Sequence, residues 1–216
     1  MKDLIIVAHG WSLFADPTTI PLSKHLASEV CDTVRLKYSN NPSRSIVEMA
    51  ASTKIHIDNY RKIYDKIIWV GHSMGAVIGA QIMKMDNDAF DGFVSLGGPL
   101  RGSRGHLDWL GPISISVEEM KNSSTLMRTL PTKSPVKSLG ISATFDSLVS
   151  QYSAESYCHD KQMVPWTTHL SMVFSRRVFL ETSAWVSYEA LGYDPTGQSF
   201  SGNYSSLSIP SSSSSS

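Results

Sequence analysis

The sequence predicts an α/β protein, with a mostly parallel central sheet and helices on both of its faces. Short apolar, β-branched runs recur at residues 4–8, 67–70 and 93–96. Between them the apolar spacing lengthens from two residues to three or four, so strands alternate with helices. The 216 residues, 41% of them hydrophobic, suffice for one compact domain with a substantial core. Strands joined through helices pair in parallel, which leaves both sheet faces to be covered.

The first strand is Leu4-Ile5-Ile6-Val7-Ala8, ended by His9-Gly10. Asp16-Pro17 marks a loop, Leu22, Leu26 and Val30 repeat every four residues as a first helix, and Val34, Leu36 and Tyr38 alternate as a second strand. Ser45 and Glu48 match a capping box, and Ile46, Ala50, Thr53 and Ile57 carry a second helix to about Tyr60. After the strand Ile67 to Val70, a proline-free segment from Ser73 to about Met85 places Ala76, Gly79, Ala80 and Met83 on one side, small enough for a helix to lie close to a sheet. Phe93 to Leu96 is the next strand, broken by Gly97-Gly98-Pro99.

From there to about Pro135 the chain is rich in Gly, Pro and Ser and is the least legible part. Leu107 to Ile115, with Trp109, could form a flap or plug the edge of the core, and Leu126, Met127 and Leu130 could extend that flap as a short helix or pack under it. Strands return near Leu139 to Phe145 and Met163 to Trp166, and Val178, Thr182 and Trp185 place a last helix after Phe174. Residues 1–192 are expected to form the catalytic domain. Residues 193–216, ending in six serines, form a polar tail expected to be mobile.

Composition narrows the function. Nineteen basic and nineteen acidic residues give a net charge of +0, so no long-range field favours nucleic acid. No run reaches the roughly 18 to 20 apolar residues of a membrane helix, and the first strand begins too early for a signal peptide; a cytoplasmic location is expected. Cys31 and Cys158 form no motif and are expected to be reduced thiols, and no metal-ligand pattern is present.

Gly71-His72-Ser73-Met74-Gly75 is a G-x-S-x-G sequence between an expected strand and an expected helix. In that context the serine sits on a sharp turn at the carboxyl edge of the sheet, and the flanking glycines avoid collisions with neighbouring elements. A serine hydroxyl needs a histidine base and an acid to orient it. His169, presented by Thr167-Thr168 after a strand, is favoured over His159, which lies in a polar connection. Asp146 directly follows an apolar strand, whereas Glu155 and Asp160 have no strand to fix them. The expected oxyanion donors are the backbone amides of Met74, after the serine, and Trp11, after the first strand. Trp11, His72 and Trp109 are the candidate substrate-binding residues. On so sharp a turn the His72 side chain should point away from Ser73, which favours a supporting position, and His9 is expected to shape its loop through hydrogen bonds to nearby backbone.

These residues resemble the α/β-hydrolase superfamily, and within it the small lipases and esterases with little or no cap. The resemblance spans about Leu4 to Tyr188 and rests on Val7-Ala8-His9-Gly10-Trp11, Val70 to Gly75, Val94 to Ser103, the strand before Asp146, and Thr168-His169-Leu170. The segment Val94 to Ser103 is particularly similar to bacterial lipases and related lipid deacylases. Ala76 stands where lipases of this group often have a second glycine. The resemblance implies carboxylic ester hydrolysis through an acyl-enzyme, with Ser73, Asp146 and His169 as the triad, Met74 and Trp11 at the oxyanion, no cofactor, and a small-molecule or lipid ester as substrate. Thioester hydrolysis, acyl transfer and a catalytically silent binding role are the alternatives; oligomeric state is undetermined.

Overall fold

A computed structural model describes residues 2–11, 17–38, 43–104 and 114–193. The Ser-rich tail beyond Tyr193, Trp109 and most of the expected flap lie outside the described residues.

The chain runs β1 (Asp3–Ala8), α1 (Ile20–Glu29), β2 (Asp32–Leu36), α2 (Ile46–Tyr60), β3 (Lys66–His72), α3 (Met74–Met85), β4 (Gly92–Leu96), α4 (Ile115–Glu119), α5 (Thr125–Thr129), β5 (Ser138–Ala143), α6 (Gln151–Glu155), β6 (Asp160–Val164) and α7 (Arg176–Trp185), followed by a π-helical segment, Val186–Leu191. All sheet pairings are parallel, in the order β2-β1-β3-β4-β5-β6. The α/β class expected from sequence is therefore the observed one.

Alternation along the strands sends side chains to two cores. Leu4, Ile6, Ala8, Ile67 and Trp69 pack on one face with Met49, Ala50 and Ile57 of α2 and Ile78 and Ile82 of α3. Ile5, Val7, Ile68, Val70, Val94 and Leu96 pack on the other with Leu22 and Leu26 of α1 and Val178 and Trp185 of α7. A strand buried on both faces reads as a continuous apolar run, which is why β1, β3 and β4 are plain in the sequence. The α2 capping box forms as expected: the Glu48 amide donates to Ser45 Oγ at 3.0 Å and the Ser45 amide to Glu48 Oε2 at 3.3 Å. Pro21 sits in the first turn of α1, where its missing N–H costs nothing.

Two expectations are corrected. The last strand is Asp160–Val164, not Met163 to Trp166. It pairs on one side only, so Asp160 and Lys161 face water and hide the apolar signal, and Pro165, without an N–H, stops the ladder. Tyr38 lies beyond β2 and stacks on His9, ring centroids 4.1 Å apart. Of the two readings left open for Leu126, Met127 and Leu130, packing is the one seen: they are buried in the α2–α3 core, the first two on α5 and Leu130 capping it.

The strand order reverses at β1, which leads first to β2 on one side and then to β3 on the other. In such sheets the loops leaving the two central strands diverge and open a crevice at the carboxyl edge. The loops after β1 and β3 hold Gly10, Trp11 and Ser73.

Candidate active site

Ser73 joins β3 to α3 with φ 52° and ψ −121°. For a residue with a Cβ this is a strained conformation, held only because its surroundings over-determine it. Its amide donates to the Leu96 carbonyl at 2.9 Å. A Cβ on Gly71 would stand 2.5 Å from the Ala76 amide nitrogen, and one on Gly75 2.5 Å from the Ala8 carbonyl oxygen. The two glycines of the motif therefore let the turn lie flat against β1 and α3, and the Trp69 indole N–H, donating to the Gly75 carbonyl at 3.0 Å, pins it from below.

Two loops from the far half of the sheet meet this turn. His169, after β6, places Nε2 2.8 Å from Ser73 Oγ and Nδ1 2.7 Å from Asp146 Oδ2. Asp146, after β5, accepts at Oδ1 from the amides of Leu148 at 2.9 Å and Val149 at 2.8 Å. Burial alone would raise the Asp146 pKa, but the hydrogen bond from His169, its charge and the two amides outweigh it and hold the carboxyl below its ordinary value. An ionised carboxylate only accepts, so His169 donates its Nδ1–H to Asp146 and turns Nε2 toward the serine hydroxyl.

The structure thus brings Ser73, His169 and Asp146 into one hydrogen-bonded chain at the carboxyl edge. The competing residues stand elsewhere. His159 bonds Ser138 Oγ at 2.9 Å at the amino end of β5, and Asp160 accepts from the Trp185 indole at 2.8 Å at the amino end of β6. Glu155, on α6, accepts from Ser142 Oγ.

Met74 opens α3, and the first amides of a helix have no partner inside it and sit at its positive end. The β1 loop lies against the serine: a Cβ on Gly10 would come within 3.0 Å of Ser73 Cβ. His9 shapes this loop as expected, with Nδ1 2.7 Å from the Gly10 carbonyl and its own carbonyl accepting from the Tyr38 hydroxyl. The Trp11 side chain, half-buried, packs toward the α2–α3 core and donates to Ser114 Oγ at 3.1 Å.

His72 stands behind the site rather than among surfaces that could touch substrate. It is 4% exposed, and its Nε2–H donates to the His169 carbonyl at 3.0 Å. Sequence reasoning did not anticipate that bond, because it joins residues 97 positions apart. Gly97 is the other residue it passed over. With φ 58°, Gly97 lies beneath Asp146 and His169: a Cβ there would be 2.9 Å from Met172 Sδ, 3.3 Å from His169 Nδ1 and 3.4 Å from Asp146 Oδ2. The Gly-Gly-Pro break was its only signal.

A family model described as serine aminopeptidase, S33, matches residues 35–179, more than half of the chain. No curated protein matches by sequence. Lipase B of Aspergillus fumigatus superimposes with a TM-score of 0.76 at 16% identity, over 91% of this chain and 55% of its own, so this chain spans little more than half of that lipase. The mature lipase BlEst2 of Bacillus licheniformis superimposes at 0.64 and 12% identity, over 86% of this chain and 91% of its own. Est1E of Butyrivibrio proteoclasticus, in its ferulic acid complex, does so at 0.63 and 15% identity, over 87% and 89%. Such identities speak for the fold. With the parallel sheet, the strained serine turn and the family match together, the chain belongs to the serine aminopeptidase S33 family of α/β-hydrolases and has the fold of lipases and esterases.

Proposed function

We propose that the protein hydrolyses carboxylic esters through an acyl-enzyme, with Ser73 as nucleophile, His169 as base and Asp146 as the acid that orients it. The observation that carries this reading is the unbroken chain from Asp146 through His169 to Ser73, with contacts of 2.7 and 2.8 Å, ending on a serine in a strained backbone. His169 Nε2 takes the hydroxyl proton as Oγ attacks the carbonyl carbon. The resulting oxyanion is received by the amides of Met74 and Trp11, and the imidazolium then gives its proton to the departing alkoxide. Water repeats the sequence on the acyl-serine, releasing the acid and restoring Ser73.

The family's description names an aminopeptidase, which would use the same three side chains on an amide. An aminopeptidase also needs a carboxylate to hold the substrate ammonium. In the segments 97–104, 144–150 and 165–177 around the triad the sole acidic residue is Asp146, already committed to His169. Among the described residues of these loops, then, no second carboxylate is placed for an ammonium group, which supports the ester reading. The test is fluorophosphonate labelling and turnover of p-nitrophenyl esters of graded chain length, beside amino-acid p-nitroanilides, by wild type and Ser73→Ala. Ester turnover and labelling that both vanish in the variant are expected; turnover surviving in Ser73→Ala sinks the assignment, and faster anilide than ester cleavage moves it to peptides.

A further inference from the structure

The two loops that carry Asp146 and His169 also carry large apolar side chains held out into water. Phe145 is 55% exposed, Trp166 85%, Leu170 66% and Phe174 58%. The Phe145 and Trp166 rings touch, with centroids 5.8 Å apart, and the Phe145 amide donates to the Thr167 carbonyl at 2.9 Å, so the two loops present one surface. Trp166 has φ 57°, a strained conformation for a bulky residue. Backbone strain that exposes an indole works against folding on both counts, which is the pattern of a functional contact.

Among the described residues the charge around this surface is one-sided. In the segments 97–104, 144–150 and 165–177 Asp146 is the one acidic residue, and its side chain is 5% exposed and bonded to His169. Arg104, Arg176 and Arg177 are the cations there, apart from Arg101, which is tied to main-chain carbonyls. The Arg104 amide donates to the Leu148 carbonyl at 2.7 Å, beside the Asp146 loop, and Arg177 has a loose pair with Glu181 at 3.8 Å. The balancing acids of a chain with net charge +0 include Asp3, Asp32, Asp65, Asp91 and Asp160 at the opposite, amino edge, interspersed with lysines.

We propose that this carboxyl edge docks on an anionic phospholipid surface. Phe145, Trp166, Leu170 and Phe174 enter the boundary between head groups and acyl chains, and the arginines meet the phosphates. Indole rings favour that boundary, and apolar burial adds to attraction by anionic lipid. The inference rests on the ester-hydrolase reading for its purpose. A protein seated here would cover the sheet edge that carries Ser73, whereas a lipid surface brings ester carbonyls to it.

The test is co-sedimentation with vesicles of equal parts phosphatidylglycerol and phosphatidylcholine, in the Ser73→Ala background so that no lipid is consumed. Binding is expected, falling about tenfold when Trp166→Asn is added, since burying an indole is worth at least that factor. Asparagine tolerates the positive φ, and Phe174→Ser gives an independent second variant. Omitting phosphatidylglycerol should also weaken binding. Trp166→Asn alone should hydrolyse soluble p-nitrophenyl acetate within about twofold of wild type. Absence of vesicle binding, or equal binding with and without the substitutions, overturns the proposal, as does self-association that Trp166→Asn abolishes without any vesicle binding. If the soluble ester is cleaved and vesicles are not bound, docking fails and the hydrolase reading stands; if vesicles are bound and no ester is cleaved, the reverse holds.

Discussion

The Nε2–H of His72 donates to the carbonyl oxygen of His169 at 3.0 Å, so the residue before Ser73 holds the main chain of His169. The two rings are tilted, centroids 5.1 Å apart, and both are buried. His72→Ala leaves that buried carbonyl unpaired and frees the loop after β6. We expect kcat to fall about tenfold with KM nearly unchanged, because a loosened base loses alignment rather than substrate contact. Steady-state kinetics on a soluble ester check this; an unchanged kcat would remove His72 from the positioning of His169.

Gly97 is expected to tolerate nothing larger. Its φ of 58° and the 2.9 Å approach to Met172 Sδ leave alanine strained and crowded at once. Gly97→Ala should lower stability by about 1–2 kcal/mol and lower kcat as well, since the crowded groups include Met172 and the His169 ring. Thermal melts and kinetics of the same variant separate the two effects.

Asp146→Asn should cost about 10⁴-fold in kcat, because a neutral amide can stabilise the wrong imidazole tautomer. It should also change the acid limb of stability. The folded pKa lies below the ordinary value of 3.8, so the stabilisation is complete above 3.8 and is lost as pH falls through the lower folded value. The melting-temperature difference between wild type and Asp146→Asn should therefore shrink below pH 3.8. A difference constant with pH would contradict an ionised, stabilising carboxylate.

Glu119 of α4 accepts the Ile46 amide at 2.6 Å, at the first turn of α2. Burial raises its pKa above 4.5, and the Ile46 N–H offsets part of that rise. A raised carboxyl pKa means that ionisation costs stability as pH climbs from 4.5 through the folded value. Glu119→Gln keeps an acceptor without the charge, so it should melt higher than wild type at pH 7 and close to it near pH 4. Glu119→Ala, which removes the acceptor, should lose about 1 kcal/mol at either pH. Thermal melts at the two pH values decide this.

The order of residues was enough to mark β1, β3 and β4, because strands covered on both faces are apolar throughout. It was enough to bound α2, because its capping box is local, and to nominate Ser73, His169 and Asp146, because each directly follows a strand or a strand's short loop. Folding in three dimensions settled what local pattern does not encode. The half-exposed edge strand β6 carries little apolar signal, and α4, α5 and α6 are five-residue helices too short to show a period. The strand order that gathers the loops after β3, β5 and β6, the Gly97 floor, the His72 bond to His169 and the aromatic edge beside them arise from contacts between residues far apart in the chain. A sequence records which groups are available; parallel packing of the sheet decides which of them share an edge.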